Sequence, residues 1–510
     1  MPATLQFGND TISTSQLEDR IARAAGGLSA LGIGENDTVA IMMRNDPAFL
    51  DAMLGARRIG AYYCAVNWHF KADEAGFILR DSEAKVLIVH ADLFAQIASG
   101  IPEGLPVIVV EPHPATLDAS GRTSERPAMQ TGWTTWLSHQ TPFTGPAFFP
   151  RGNMAYTSGT TGRPKGVRRM PPPAADAERM TQRMAALGLE INGIGPGMRA
   201  LLSGPMYHSA PNAYAVQATL AGELLVLEAK FDAERTLALI EQYRLTHAYL
   251  VPIMFVRMLR LSEEVKRQYD ISSMHFVACT GSPCAPDVKR AMIEWWGPVI
   301  HESYASSEAG FITHITSEES LVRPGSVGRP ASGATIRIFD EAGAPLSAGQ
   351  TGLIYARQPA YTDFTYAHQP EARHAIERDG LVSVGDMGYL DDDGYLFISD
   401  RKSDMVISGG VNIYPAEIEA VLIGMPGVAD CAVFGIPNEE FGETLAAAVQ
   451  LRDGQAMEAT QVRRYLSDRI ANYKVPKLVT FHAEFPREDS GKIFKRKLRA
   501  PYWEGVNRRI

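Results

Sequence analysis

Cysteine is scarce in this sequence, and no disulfide or zinc-site pattern can be built from it. The 510 residues include four cysteines, Cys64, Cys279, Cys284 and Cys431, and none of them forms a Cys-x-x-Cys pair. Cys279 and Cys284 also lack a histidine at zinc-site spacing. We therefore expect all four to be small buried side chains without disulfides, as is usual in a cytoplasmic protein.

Long apolar runs and an excess of positive charge are missing as well. No stretch of about 18 apolar residues occurs, which argues against a membrane-spanning helix, and the N-terminus lacks the basic head and apolar segment of a signal peptide. The formal net charge is −9, so a general affinity for nucleic acid is not expected. Hydrophobic residues make up 45% and charged residues 21% of the chain, and its length predicts two or more domains.

The chemistry of the chain is concentrated in one stretch rich in glycine and hydroxyl groups, residues 156–166. Glycine lets the backbone approach a ligand closely, the hydroxyls can donate to phosphate oxygens, and Lys165 adds a positive charge. The stretch is not the common P-loop, in which the lysine directly follows a glycine. It predicts a loop that holds a polyphosphate, with a flexible linker as the alternative. The candidate nucleotide contacts within it are Thr157, Ser158, Gly159, Thr160, Thr161, Gly162 and Lys165.

Strand and helix patterns alternate through most of the first 304 residues. Predicted buried strands fall into two series, which are 39–43, 62–66, 86–89 and 107–110, followed by 200–203, 224–227, 247–251, 276–279 and 298–300. Predicted helices include 15–31, with Ser15 and Glu18 as a capping box, and 233–243. The two series predict two parallel sheets flanked by helices. Residues 111–147, rich in Pro, Ser, Thr and Gly, predict a long irregular connection.

The pattern changes near residue 325 to short strands separated by turns. The turn Asp391 to Gly394 predicts a hairpin, and 325–398 predicts a small antiparallel barrel or sheet. We expect an α/β N-terminal domain over 1–400 that includes this β-barrel-like part. A polar hinge at 401–404 and a smaller α+β domain over 405–510 would follow it.

A second polar tract, Glu302 to Gly310, follows the last predicted strand of the second series. Ligands collect at the carboxyl ends of parallel strands. A tyrosine there can stack on adenine, and a carboxylate can hold Mg²⁺. The tract therefore predicts a nucleotide site, with an ordinary loop and a helix-capping glutamate as the alternative.

These tracts resemble the motifs of the adenylate-forming superfamily, which includes acyl- and aryl-CoA synthetases, adenylation domains of peptide synthetases and beetle luciferases. The resemblance spans roughly the whole chain. Gly385-Asp386, Arg401 and Ser490-Gly491-Lys492 follow the first two tracts in the family's order. The resemblance implies a large domain of two β/α sandwich subdomains plus a small β-barrel, followed by a mobile C-terminal lid.

The resemblance also implies roles for individual residues at the nucleotide. It places adenine on Tyr304, the α-phosphate on Ser307, and the ribose on Asp386 and Arg401. The implied metal ligands are Glu308 and Thr161. Further implied ATP or AMP contacts are Gly281, Ser282, Pro283, Glu302, Ser303, Ala305, Ile398 and Lys492. The tract departs from the family's Tyr-Gly-x-Thr-Glu pattern at Ala305 and Ser307.

Other residues acquire catalytic, CoA-binding and acyl-binding roles through the same resemblance. The implied catalytic residues are Lys492, His208 and Lys165. The implied CoA contacts are Ser408, Gly409, Gly410, Phe441, Lys474 and Lys477. The implied acyl pocket consists of Tyr207, His208, Ala213, Cys279, Gly281, Ala309 and Gly310. The hinge has Ser403 where the family often has Asp or Lys, and the basic residues from Lys495 to Arg499 predict a solvated helix face.

The hypothesis is an AMP-forming acyl-CoA synthetase that uses ATP, CoA and Mg²⁺. Its expected substrate is an aryl, hydroxycinnamic or medium-chain fatty acid. No nucleic acid and no membrane span are expected, and a homodimer is left open. The alternatives are a stand-alone adenylation enzyme that loads a carrier protein, a luciferase-type oxygenase, and a nucleotide-binding regulatory protein.

Overall fold

The computed structural model divides the chain into two compact units. The first comprises Met1–Pro324, Gly328–Thr335 and Arg357–Val382, and the second comprises Gly325–Val327, Ile336–Ala356 and Ser383–Ile510. The structure describes residues 2–120, 133–146, 148–157, 164–282, 284–402, 404–408, 411–438, 441–487 and 493–504. Within these ranges, no helix combines the length and the apolar character needed to cross a membrane. The domain boundary near 400 and the hinge at 401–404 stay predictions.

The strands and helices follow each other closely along both units. The strands are β1 (Thr4–Phe7), β2 (Asp10–Ile12), β3 (Thr38–Met42), β4 (Tyr62–Ala65), β5 (Ala84–His90), β6 (Val107–Val110), β7 (Ala155–Thr157), β8 (Lys165–Arg169), β9 (Arg199–Leu202), β10 (Leu224–Leu227), β11 (His247–Leu250), β12 (Phe276–Cys279), β13 (Ile300–Glu302), β14 (Ala305–Ser306), β15 (Gly310–Phe311), β16 (Thr313–His314), β17 (Arg329–Pro330), β18 (Thr335–Phe339), β19 (Gly352–Arg357), β20 (Phe364–Tyr366), β21 (Glu377–Arg378), β22 (Leu381–Val382), β23 (Asp386–Leu390), β24 (Leu396–Arg401), β25 (Val406–Ser408), β26 (Val411–Ile413), β27 (Val428–Asn438), β28 (Gly442–Leu451) and β29 (Leu478–His482). The α-helices are α1 (Thr14–Ala30), α2 (Pro47–Arg58), α3 (Ala72–Asp81), α4 (Ala91–Ile97), α5 (Pro114–Ser120), α6 (Trp133–Ser138), α7 (Ala177–Asn192), α8 (Ser209–Ala221), α9 (Ala233–Tyr243), α10 (Pro252–Leu259), α11 (Glu263–Gln268), α12 (Pro286–Trp296), α13 (Ser317–Val322), α14 (Pro370–His374), α15 (Pro415–Leu422), α16 (Ala459–Ser467) and α17 (Lys495–Trp503). Short 3-10 turns lie at Ala98–Gly100, Ala174–Asp176 and Asn472–Lys474.

Two parallel sheets form the framework of the first unit. The larger has the strand order β13-β12-β11-β9-β10-β1-β2, with only the edge pair β1–β2 antiparallel. The smaller has the order β4-β3-β5-β6 and is parallel throughout. Most of their strands are buried apolar runs, as expected for parallel sheets covered on both faces, whereas the edge strand β2 is mainly exposed. The prediction of an α/β fold with two β/α series is confirmed.

A small antiparallel sheet, β7-β8-β20, holds both ends of the Gly-rich loop. Tyr156 pairs with Gly166, and Thr157 pairs with Lys165, so the strands on either side of residues 158–163 are paired in register. On its other side β8 pairs with β20, with Phe364 opposite Arg169. Residues distant in the sequence are therefore brought beside the base of the loop.

The second unit contains two sheets of short and long antiparallel strands. One joins β18, β19, β23 and β24, and its β23–β24 hairpin turns at Asp391 to Gly394, as predicted. Gly394 has φ +80°, which favours glycine at this turn. The other sheet has the order β26-β25-β28-β27, and β29 adds to β28 in parallel. Helices α15 and α16 pack on it over buried Ile418, Leu422 and Val462.

Two local predictions in the first unit are wrong. The stretch 111–147, predicted to be irregular, contains α5 and α6. Each of these helices is too short to show a period, and α6 is anchored by buried Trp133, whose indole N–H donates to Asp51 at 3.3 Å. Helix α1 is capped by Ser13 with Gln16 rather than by Ser15 with Glu18, because Gln16 Oε1 accepts the Ser13 N–H at 2.9 Å.

Candidate active site

The base of the Gly-rich loop contacts the carboxylate of Glu308. Thr157 Oγ1 donates to Glu308 Oε1 at 3.1 Å, although the two residues lie far apart in the sequence. Tyr366 donates its hydroxyl to the same oxygen at 3.0 Å, and Glu308 is 6% exposed. Burial, followed by the neighbouring carboxylate, raises the pKa of Tyr366, so its hydroxyl stays protonated and donating. Lys165 Nζ lies 5.2 Å from the centre of the Tyr366 ring.

The tract after β13 is fastened to neighbouring strand ends. Ser303 N–H donates to the Cys279 carbonyl at 3.0 Å, and Thr280 Oγ1 donates to the Ser303 carbonyl at 2.8 Å. The Tyr304 N–H donates to Thr313 Oγ1 at 3.2 Å, and Tyr304 is half-buried. The main chain of the predicted adenine-binding residues is therefore fixed at the carboxyl end of the larger sheet.

Glu302 and Lys289 form a buried ion pair on one face of that sheet. Burial opposes the charge of Lys289, but the Glu302 carboxylate outweighs it and raises the lysine pKa. Burial raises the pKa of Glu302 against the opposing attraction of Lys289. The carboxylate of Glu302, predicted to contact ATP, is thus engaged with a lysine of α12.

The turn before α8 places His208 at the start of that helix. The imidazole lies 4.2 Å from the Tyr207 ring, centre to centre. Asn45, which is 3% exposed, accepts the Met206 N–H at 2.9 Å and donates to the carbonyls of Gly204 and Glu228. Ser209, next to His208, lies 3.1 Å from the Ser307 hydroxyl, oxygen to oxygen. This contact joins the start of α8 to Ser307 in the second polar tract, the predicted α-phosphate contact.

The residues predicted for the acyl pocket lie at the end of β12, at β15 and at the start of α8. Tyr207, Cys279 and Ala309 are buried, and Ala213 is half-buried. Gly281, at φ +95°, is exposed, and a Cβ there would come no closer than 3.7 Å to Val251. At Gly310, by contrast, a Cβ would lie 2.3 Å from Tyr361 Cδ2. A Cβ at 281 would meet no close atom but would be strained by the positive φ, whereas at 310 it would also clash with the tyrosine ring, so both positions favour glycine.

In the second unit, Asp386 and Arg401 face each other across the β23–β24 hairpin. Arg401 Nε donates to Asp386 Oδ1 at 3.2 Å, and their side chains are 47% and 8% exposed. Asp400 fixes the backbone by accepting the N–H groups of Arg401 and Ala416. Ile398, also predicted to contact the nucleotide, lies on β24 opposite Gly388.

Three of the predicted CoA contacts come together in the second unit. Ser408 pairs with Gly442, the residue after Phe441, and Lys477 Nζ lies 4.7 Å from the centre of the Phe441 ring. Lys474 instead forms an ion pair with Glu417 at 2.6 Å. The predicted solvated face after residue 494 is wrong at Lys495, whose ammonium lies 2.8 Å from the partly buried Glu419 carboxylate.

Some predicted residues lie outside the part of the chain that the structure describes, and their roles stay predictions. They are Ser158, Gly159, Thr160, Thr161, Gly162, Pro283, Ser403, Gly409, Gly410 and Lys492. Within the described part, no group of three or more His, Cys, Asp or Glu side chains forms a metal cluster.

Comparison with known families decides the identity of the chain. The family described as AMP-binding enzyme matches residues 2–363, which is well over half of the sequence. The chain belongs to the AMP-binding enzymes. A second match, to the AMP-binding enzyme C-terminal domain, covers residues 417–492. The predicted membership of the adenylate-forming superfamily, in the group of AMP-forming acyl-CoA synthetases, is confirmed.

Individual relatives of this AMP-binding enzyme match it over nearly its whole length. A feruloyl-CoA synthase of an Amycolatopsis species is 31% identical over 500 residues, which covers 97% of this chain and 95% of the relative. The long-chain-fatty-acid–CoA ligase FadD13 of Mycobacterium tuberculosis is 31% identical over 496 residues, with coverage of 96% and 92%. The crystal structure of ATP-bound MatB from Rhodopseudomonas palustris is 27% identical, covers 99% and 96% of the two chains, and superposes with a TM-score of 0.85.

Several residues around the site of this AMP-binding enzyme were missed by sequence reasoning. Tyr366 reaches Glu308 from β20, and Asn45 reaches the turn before His208 from the end of β3. Neither belongs to a recognisable motif. The only available signal was that Asn45 follows a buried strand, where functional side chains collect.

Proposed function

We propose that this enzyme activates a carboxylic acid with ATP and transfers the acyl group to the thiol of CoA. In the first step a carboxylate oxygen attacks the α-phosphorus, the bond to the leaving pyrophosphate breaks, and acyl-AMP forms. In the second step the CoA thiolate attacks the acyl carbonyl, the mixed-anhydride bond breaks, and AMP leaves. The thiol proton passes to solvent or to the departing AMP.

The observation that supports this proposal best is the contact of Thr157 with Glu308 at 3.1 Å. It brings the base of the polyphosphate loop to the one carboxylate of the second tract that is not engaged with a lysine. Ser307, the proposed α-phosphate contact, is the neighbour of Glu308. The three groups can therefore act on one triphosphate.

Glu308 also fits a magnesium ion, with Thr161, which lies outside the described residues, as the second predicted ligand. Mg²⁺ prefers oxygen ligands and is usually held in ATP sites by one or two carboxylates together with the phosphates. When bound, it would neutralise charge on the leaving pyrophosphate. Lys165, at the end of the loop, would offset charge on the same phosphates.

The C-terminal part would complete the site in two positions. We propose that 1–400 binds ATP and the acid, that 401–404 is a hinge, and that 405–510 is a lid. One lid position would bring Lys492 to the adenylation step, and the other would present Gly409 and Gly410 to the pantetheine chain. Phe441 with Lys477 offers an aromatic face and a cation for the nucleotide end of CoA.

The acid is proposed to be an aryl or hydroxycinnamic acid or a fatty acid, with a medium chain length as the expectation from the sequence. The described pocket residues are mostly small or apolar, and none is an Arg or Asp that would read an amino acid. The relatives named for feruloyl and long-chain fatty acyl substrates agree with this class.

A pyrophosphate-release screen tests the proposed function. Purified enzyme, ATP and Mg²⁺ are supplied with acids from acetate through long-chain and hydroxycinnamic acids, with either CoA or a phosphopantetheinylated carrier protein as thiol. We expect release with a subset of these acids and thioester formation on CoA. Thioester only on the carrier protein would establish the alternative adenylation enzyme, and no release with any acid would reject acid activation.

A lysine variant tests the lid. Lys492→Ala is expected to slow adenylation by roughly 100-fold or more, because a cation aimed at developing charge supplies several kcal/mol. Thioester formation from supplied acyl-AMP should change much less. Equal losses in both steps, measured by rapid quench, would contradict the two-position lid.

A further inference from the structure

Arg169 ends the strand that begins at Lys165, and its guanidinium reaches the second tract. Nη2 donates to the carbonyls of Ser307 at 2.6 Å and Glu308 at 2.9 Å. Nη1 donates to the carbonyl of Thr362 at 2.9 Å. One side chain thus links the strand after the phosphate loop to the main chain of the two residues proposed to contact phosphate and metal.

The same guanidinium also contacts an aromatic wall behind the tract. Its central carbon lies 4.6 Å from the centre of the Tyr361 ring and 5.9 Å from that of Phe364. The Tyr361 ring in turn lies against Gly310, where a Cβ would come within 2.3 Å. Arg169 therefore supports residues 307–308 directly and residue 310 through Tyr361.

The guanidinium of Arg169 is held mainly by the backbone. Its hydrogen bonds among the described residues go to main-chain carbonyls. Burial lowers its pKa to about 10, so it remains charged at neutral pH. The residue is half-buried, and the carboxylates of Glu308 and Asp363 oppose the lowering of its pKa by burial. An apolar side chain at this position would leave the carbonyls of Ser307, Glu308 and Thr362 without this donor.

We propose that Arg169 is a positioning residue for Glu308, which holds the Ser307–Glu308 main chain so that the carboxylate is presented to magnesium-bound ATP. The inference rests on the proposed function, since it takes Glu308 as a metal ligand. Three groups then define the carboxylate: Thr157 and Tyr366 hydrogen-bond its Oε1, and Arg169 fixes the backbone from which it extends.

The neighbouring arginine provides a matched control. Arg168 lies on the same strand, but its guanidinium is 4.8 Å from the centre of the Tyr62 ring and donates to the Asn36 carbonyl at 2.9 Å. Arg168→Lys and Arg169→Lys therefore make the same chemical change at adjacent positions. Lysine keeps the charge but offers a single nitrogen, which cannot span the carbonyls that the planar guanidinium joins.

Calorimetric titration with ATP, once with Mg²⁺ and once with EDTA, distinguishes two roles for Arg169. A residue that positions the metal ligand affects only binding with Mg²⁺, whereas a residue that supports the whole nucleotide site affects both. For Arg169→Lys we expect MgATP affinity to fall by roughly 10- to 100-fold, as for other residues that orient metal ligands. Its affinity for ATP in EDTA should stay within about twofold of wild type, and Arg168→Lys should change neither value.

Each other outcome would overturn the proposal. Equal weakening with and without Mg²⁺ would make Arg169 a general support of the nucleotide site, and loss of a cooperative melt would make it a support of the fold. If Arg169→Lys leaves MgATP affinity unchanged, Arg169 does not position Glu308. If the wild-type protein itself fails to bind MgATP, the proposed function falls together with the inference, whereas normal wild-type binding with unaffected variants rejects the inference alone.

Discussion

The two clusters predicted to contact the nucleotide, one in each unit, are built in different ways. Glu308 is buried and receives hydroxyls from Thr157 and Tyr366, so this cluster joins three separate segments of the first unit. Asp386 and Arg401 lie on adjacent strands of one hairpin, and the arginine side chain is 47% exposed.

This difference has a kinetic consequence. A carboxylate held by buried hydrogen bonds is preorganised, and preorganised groups act mainly on the rate of the chemical step. The Arg401 side chain is about half exposed, and an ion pair with one exposed partner is held less firmly than a fully buried one. We therefore expect the first cluster to control kcat and the second to control the KM for ATP.

The largest expected effect is at Glu308. Glu308→Gln keeps the shape of the side chain but removes its charge, and should lower the kcat of acid-dependent ATP–pyrophosphate exchange by roughly 100-fold or more. Glu371→Gln, at an exposed carboxylate of the same unit, is the control and should have no effect. A Glu308→Gln loss that appears only in KM would contradict the kinetic difference proposed between the two clusters.

A smaller effect is expected at Asp386. Asp386→Asn should raise the KM for ATP about tenfold and leave kcat within about twofold, since it weakens one charge-assisted hydrogen bond made equally in ground and transition states. Asp392→Asn, in the exposed turn of the same hairpin, is the matched control. Should kcat fall instead, the hairpin takes part in the chemical step.

Elements whose signal lies within a short window were predicted well. The hairpin that carries Asp386 and Arg401 is marked by its own turn, and the buried strands of both sheets are marked by apolar runs. The prediction of a solvated side chain at Lys495 was wrong because its partner, Glu419, lies on another helix, α15. A run of basic residues does not indicate which of them is buried.

Long-range contacts could not be predicted. Tyr366 and Arg169 meet Glu308 because β8 pairs with β20, and no local feature of residues 364–366 marks that pairing. Asn45 contacts the turn at Met206 across the two sheets of the first unit. The motifs thus predict which residues contact the ligand. The residues that hold those contacts in place can be identified only from the tertiary structure.

Acid stability also separates the two units. In the first unit the rings of His247, Phe276, His301 and His314 stack in a column, and His301 Nδ1 lies 3.1 Å from His314 Nε2. Burial, followed by the neighbouring histidine, lowers the pKa of both His247 and His301 to about 4. The second unit contains a single histidine, His482.

The smallest effect is therefore one on stability at low pH. Above pH 6.5 the imidazoles are neutral in both states, but between about 6.5 and 4 the unfolded chain binds protons that the folded column resists. The first unit should lose stability over this range. His301→Phe keeps the ring and should recover about 1–2 kcal/mol at pH 4.5 with little change at pH 7. Urea titrations at the two pH values measure this, and an equal effect at both would contradict the sign of the pKa shift.

The most direct test of the proposed function is the identity of the products, measured by mass spectrometry with the best acid from the screen. Without CoA we predict enzyme-bound acyl-AMP and pyrophosphate, and with CoA we predict acyl-CoA and AMP in equal amounts. Formation of ADP and phosphate, or consumption of ATP without a thioester, would contradict the account.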